Sequence, residues 1–433
     1  MKRSIRLLCF LYVLCCTVFV VAQPYAIQHL GVENGLSNNF VLSMAQDKRG
    51  CIWVATEVGL NRFDGNGFTV YKQHNSEIAG DALNTLLYDE KEDVLWMGGK
   101  FGGLCAWEGK SGCFRTYQAR NGMKLENIVH LAKANDGGIW ITPRHSDPIY
   151  FDSRSHRFTS LSDMGIQLDC RSNLCAFADG DLLYVGHYRG GMSIIDLKKK
   201  TTCRMLHDPA VPQSLPGHSI YSLYKDRLGH LWVGTEWGLG LLDSSTGRFT
   251  VFRHVQGRTS SLVADHVYDI CETADGKLWI ACDVGGISIL DLSQITFKHP
   301  EEVCFENLLS AVTGKGLSSS NIRKVLQDSY GNIWIGNYSC GLDFISHRPP
   351  VFQICGDRPV YGMYRGEEGQ LWVGGENELL LYKNDSLAKR FDICCDMLCS
   401  YGWVAAIIDD GQGFLLLGLS DNGILRTELR TGK

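Results

Sequence analysis

The stretch Asp226-Arg227-Leu228-Gly229-His230-Leu231-Trp232-Val233-Gly234-Thr235-Glu236-Trp237-Gly238-Leu239 decides the fold. Upstream of it, His218 to Tyr224 alternates apolar and polar residues, as a half-buried strand does. Asp226 and Gly229 then fit a tight turn, because an aspartate caps its own backbone and a glycine accepts dihedrals closed to other residues. Leu231 to Gly234 reads as the return strand. Its tryptophan is large enough to fill the wedge between neighbouring sheets, and its glycine permits close backbone approach. A second turn over Glu236-Trp237-Gly238 leads to a third strand, Leu239 to Leu242. Asp243 to Gly247 turns again, and Phe249 to Phe252 is the outer strand. Four short antiparallel strands in about 45 residues make one blade of a β-propeller.

The phrase recurs from Asp47, with Trp53, and from Asp328, with Trp334; weaker copies centre on Trp96, Trp140, Tyr184, Trp279, Trp372 and Leu416. Successive spacings of that position are 43, 44, 44, 48, 47, 55, 38 and 44 residues. The pattern predicts an all-β chain: one seven-bladed ring over residues 23–350 and the first two blades of an incomplete second propeller over 351–433. The 55-residue step, the crossing from Ser346 to Phe352 through Pro349-Pro350 and the 38-residue step mark the join. Tyr25 to Leu30 is strand-like and precedes the first full copy. It is expected to supply the outer strand of the last blade and so remove a free edge. Two further blades lack neighbours on both sides, so the tail is expected to be marginal unless the parent protein continues.

Composition agrees with a globular chain rich in turns. Of 433 residues 48 are glycine and only 10 proline, with 45% hydrophobic and 21% charged, which excludes disordered, collagenous and coiled-coil classes. A net charge of −5 without a basic patch argues against nucleic-acid binding. Residues 1–22 have a basic start, an apolar run from Leu7 to Val21 and small residues before Gln23, the pattern of a secretory signal peptide cleaved after Ala22. Its removal takes Lys2, Arg3 and Arg6 and leaves a charge of −8. Of the 17 cysteines, Cys9, Cys15 and Cys16 go with it. Most of the rest read as small buried hydrophobes, with Cys394, Cys395 and Cys399 the best local set for a disulfide. The 13 histidines show no His-x-His or His-Glu-x-x-His spacing and there is no Gly-x-Ser-x-Gly elbow, so no catalytic residue, metal site or cofactor is expected.

The motif Asp-x-x-Gly-x-[Ile/Leu]-Trp-[Val/Ile]-Gly-Thr-x-x-Gly-Leu, preceded by Gly35-Leu36-Ser37 and Gly316-Leu317-Ser318, resembles the two-component regulator propeller repeat over about residues 25–427. That resemblance implies the periplasmic sensor region of a Bacteroidetes hybrid two-component system, in which propellers precede a membrane helix, a histidine kinase core, a receiver and a DNA-binding domain. It implies an oligosaccharide ligand and control of glycan-utilisation genes. The chain stops at Lys433 without a kinase core, so it is expected to be the sensing portion of a truncated or fragmentary parent that is inner-membrane anchored, with homodimerisation an open expectation. The alternatives are a secreted propeller enzyme such as a polysaccharide lyase, and a non-catalytic scaffold.

Repeated residues specify architecture, so function belongs to what varies between copies. In a four-stranded blade, the turn after the Trp strand and the loop between blades open on one face, and the Asp-x-x-Gly turns on the other. The variable turns carry Glu57-Val58, Lys100-Phe101, Arg144-His145, His187-Tyr188-Arg189, Glu236-Trp237, Asp283-Val284 and Asn337-Tyr338. Aromatic planes suit sugar rings, and cations suit sulfate or uronate groups. Arg144, His145, Tyr188, Arg189, Trp237 and Tyr338 are therefore expected to line a glycan-facing surface.

Overall fold

The computed structural model describes residues 25–428 apart from 120–122, 124, 296–299, 311–315, 348–357, 367–368, 384–385, 394–401 and 421–422. The segment expected to be a signal peptide, the Cys394, Cys395 and Cys399 set and most of the 346–352 crossing lie outside the described residues. Two compact units divide between Pro349 and Pro350.

The first unit holds seven four-stranded antiparallel sheets. In the fifth, Ile220–Lys225, Leu231–Thr235, Gly238–Asp243 and Arg248–Phe252 lie side by side in chain order. The innermost strands are Val41–Gln46, Leu83–Asp89, Ile128–Lys133, Asn173–Asp179, Ile220–Lys225, Val267–Glu272 and Ile322–Gln327. Each touches the next, and the seventh touches the first, so the β-propeller closes on itself. The last sheet completes itself with the N-terminal strand Ile27–Leu30, which pairs antiparallel with Leu342–Ile345. This is the outer strand expected from Tyr25 to Leu30.

Physical reasons for the repeated residues are visible in the three strong copies. Trp232 Nε1 donates to Asp226 Oδ2 at 2.8 Å, and the same bond joins Trp53 to Asp47 and Trp334 to Asp328 at 2.9 Å. Asp226 Oδ1 also accepts the His230 amide at 2.8 Å. One carboxylate thus shapes the turn and satisfies an indole N–H that burial would otherwise leave unpaired. Trp232 packs with Leu239 and Leu241 against Val267, Leu278 and Ile280 of the next sheet. Gly234 permits that approach, since a Cβ there would stand 2.7 Å from Val267 Cγ1.

In the second unit Gly362–Arg365, Gln370–Gly374, Glu378–Lys383 and Ser386–Asp392 form one sheet, and Val404–Asp409, Phe414–Leu419 and Gly423–Glu428 form another. Trp372, Leu379, Val404, Leu415 and Leu417 are its core. Among the described residues no helix is long and apolar enough to cross a membrane. Ten described cysteines are free. Cys105, Cys175 and Cys282 are buried as expected, whereas Cys113 and Cys203 are exposed on outer strands and Cys304 is exposed just before the strand Glu306–Leu308.

Candidate functional site

The turns that follow each second strand are tied to the segments entering the innermost strands. Arg144 N donates to Asn127 O, Tyr188 N to Ser172 O, Gly238 N to Asp265 O and Tyr338 N to Asn321 O. These hydrogen bonds gather the variable turns around one mouth of the ring and leave the Asp-x-x-Gly turns at the opposite ends of the same strands.

The six residues singled out from sequence fall into three places. Arg144 and Arg189 both lie over Tyr188, with guanidinium carbons 5.5 and 5.3 Å from its ring centre, and His145 is exposed on the same turn as Arg144. Arg189 holds φ at +54° in the turn between His187 and Met192, and Lys100 lies 5.7 Å from the centre of the exposed Phe101 ring. Tyr338 packs edge-on to Phe40 at 5.0 Å and lies 4.4 Å from the Arg323 guanidinium. Trp237 stands with His207 and His218, at 5.3 and 5.0 Å, and lines a cleft of about 670 Å³ with Val211, Arg253, Val255 and Phe305.

The residues that complete the mouth were not legible as candidates. Every innermost strand of the ring carries a bulge near its start, for instance between Ile220 and Ser222, Val267 and Asp269, and Ile322 and Lys324. A bulge adds one unpaired residue and re-aims its side chain. The positions between the shifted pairs are Leu42, Asn84, Val129, Leu174, Tyr221, Tyr268 and Arg323. The last three differ in chemistry from the rest. Tyr221 lies 4.8 Å from Tyr268 and 4.7 Å from His266, His266 stacks on Tyr268 at 4.6 Å, and Arg323 lies 3.6 Å over Tyr268. Asp283 stands 3.8 Å from both Arg323 and His266.

Burial sets the protonation of this cluster. It pushes the Tyr221 phenol up to about 12, with smaller pushes from Tyr268, Glu236 and Tyr188. It pulls His266 below its ordinary value against the opposing pull of Asp283. At neutral pH the cluster therefore offers protonated phenols and aromatic faces. Arg323 Nε and His266 Nε2 are buried with no hydrogen-bond partner among the described residues.

Residues 35–58, 214–237, 261–283 and 316–339 match the family described as two component regulator propeller. The chain carries two-component regulator propeller repeats. The extracellular domain of the hybrid two component system BT3049 from B. thetaiotaomicron is 30% identical with a TM-score of 0.65, over 94% of this chain and 54% of that one. The regulator propeller chain thus spans about half the length of that domain. A 41-residue segment is 46% identical to histidine kinase P4 of Formosa agariphila, which is 10% of this chain and 3% of that protein. Virginiamycin B lyase from Staphylococcus aureus is 14% identical with a TM-score of 0.56, over 75% of this chain and 100% of that one; this likeness is one of fold alone.

One side-chain set in the regulator propeller has the outline of a hydrolytic triad. Ser193 Oγ lies 2.8 Å from His187 Nε2, and His187 Nδ1 lies 3.1 Å from Asn173 Oδ1. His187 and Asn173 are 0% exposed, and burial pulls the His187 imidazole down to about 4. His187 ends its strand where Thr235 ends the equivalent one, and Asn173 Nδ2 donates to the carbonyls of Pro143 and Ser146 at 2.8 Å. The set is a sealed tie between sheets. Among the described residues no group of three His, Cys, Asp or Glu side chains is placed to hold a metal ion.

Proposed function

We propose that this chain is the extracytoplasmic ligand-sensing portion of a hybrid two-component sensor, exported by its N-terminal signal, and that it binds glycan-derived oligosaccharides to regulate carbohydrate-utilisation genes. The observation that carries the reading is the mouth: Tyr188 with two guanidiniums over its ring, Tyr268 and Tyr338 against Arg323, and Tyr221 against Tyr268. Saccharides combine apolar ring faces with hydroxyls at fixed spacing. A site for them needs aromatic planes edged by directional donors and acceptors. The likeness to the BT3049 extracellular domain supports the sensor part of the proposal.

Catalysis plays no part in this reading, because the triad-like set is closed to substrate. Signalling works by population shift: an oligosaccharide changes output only by binding one arrangement of the sensor better than another. A homodimer is one assembly in which such arrangements could differ. Calorimetry of the full chain against an oligosaccharide panel, with product analysis, tests the proposal. Saturable binding with the sugar recovered intact supports it, and turnover of a bound sugar contradicts it.

A further inference from the structure

Four cations face the mouth from its variable turns and bulges, and their surroundings divide them. Arg323 is locked between the rings of Tyr268 and Tyr338 at 3.6 and 4.4 Å and has Asp283 at 3.8 Å. Lys100, Arg144 and Arg189 lie on three consecutive sheets, each over an aromatic ring, and none has an ion-pair partner among the described residues. Two carboxylates of neighbouring turns are engaged elsewhere. Asp147 pairs with Arg171 at 3.0 Å. Glu236 accepts the amides of His218 and Ser219 at 3.0 and 2.7 Å.

The arc from Lys100 to Arg189 thus holds three cations without an ion-pair partner among the described residues, on a chain whose formal net charge is −5. Two guanidiniums already ordered over one tyrosine ring also lose less freedom on binding than free surface arginines. A planar or tetrahedral oxyanion is the group that such paired forks hold best.

Resting on the sensor reading above, we infer that the ligand is an acidic oligosaccharide, carrying uronate or sulfate, whose anionic group is held by Arg144 and Arg189 while a sugar ring lies on Tyr188. Tyr221 and Tyr268 then take the adjoining residue of the oligosaccharide, and Arg323 acts as a positioning residue that holds Tyr268 and Tyr338 in place. A neutral glycan would leave the two guanidiniums without a counterion in the bound state.

The test is an array of uronate-containing, sulfated and neutral oligosaccharides probed with the full chain, the Arg144→Gln/Arg189→Gln double variant and Tyr188→Ala, each checked for native circular dichroism. Acidic oligosaccharides bind the wild type, raised salt weakens them, and each arginine lost costs about tenfold or more in affinity. Tyr188→Ala weakens the same ligands. Preference for neutral sugars, or acidic binding that the folded double variant retains, overturns the inference and leaves the sensor reading standing. Binding of no member of the array overturns both. If the double variant fails to fold, Arg144→Lys and Arg189→Lys singly replace it; they keep the charge and lose the fork, so unchanged affinity counts against the inference.

Discussion

Removing the Asp226 carboxylate tests the repeat where its logic is most explicit. Asp226 Oδ2 accepts the Trp232 indole N–H at 2.8 Å and faces His230 Nδ1 at 3.0 Å, while Oδ1 accepts the His230 amide at 2.8 Å. Trp232 is 0% exposed and Asp226 4%, so Asp226→Ala leaves a buried indole N–H and a turn amide without acceptors. At about 1–3 kcal/mol for each unsatisfied donor, less what is regained by not burying a carboxylate, the loss comes to about 2–4 kcal/mol. Asp226→Asn keeps an acceptor oxygen and is expected to lose about half as much. A double-mutant cycle with Trp232→Phe isolates the pair, with a coupling of about 1–2 kcal/mol. Urea unfolding followed by circular dichroism reads all four proteins. An Asp226→Ala midpoint equivalent to less than about 0.5 kcal/mol of loss, or a cycle with no coupling, would refute the account of the aspartate as both turn-former and indole anchor.

Other outcomes follow from the same geometry. Gly234→Ala forces a methyl to within 2.7 Å of Val267 Cγ1 and is expected to cost about 1–3 kcal/mol, read as a lowered thermal midpoint. Val284 is a β-branched residue held at φ +58° and 75% exposed, so Val284→Gly relieves strain and is expected to raise stability by up to about 1 kcal/mol in the same assay. His187, whose imidazole is pulled down from 6.5 to about 4, binds a proton less readily folded than unfolded. Its contribution is present above pH 6.5 and lost as pH falls towards 4, by up to about 3 kcal/mol. Urea midpoints across that range are expected to fall less steeply in His187→Gln.

The blades were legible because their design repeats. Asp-x-x-Gly followed by an apolar-Trp strand spells a turn and a buried face in every strong copy, and the missing outer strand of the last sheet pointed back to Tyr25–Leu30. The mouth was legible only in part. Variable turns gave Arg144, Tyr188 and Arg189, which the fold brings together around one ring. Tyr221, Tyr268 and Arg323 stayed hidden because a bulge leaves no mark in an alternating pattern: Ile220-Tyr221-Ser222 reads as a regular strand until the register with Thr235 and Gly234 is seen to skip Tyr221. Trp237 shared a turn position with the others, yet its ring goes to His207 and His218 beside the outer cleft. A turn position specifies the face of the ring and not the direction of the side chain.

Hydrogen–deuterium exchange of the full chain, with and without a saturating oligosaccharide, tests the central claim most directly, because it reports which face is covered without assuming which residues matter. Protection of the amides in and beside 144–145, 188–189, 266–268 and 338, with the Asp-x-x-Gly turns at 47–50, 226–229 and 328–331 unchanged, is the result this account predicts. Protection confined to those Asp-x-x-Gly turns would contradict it.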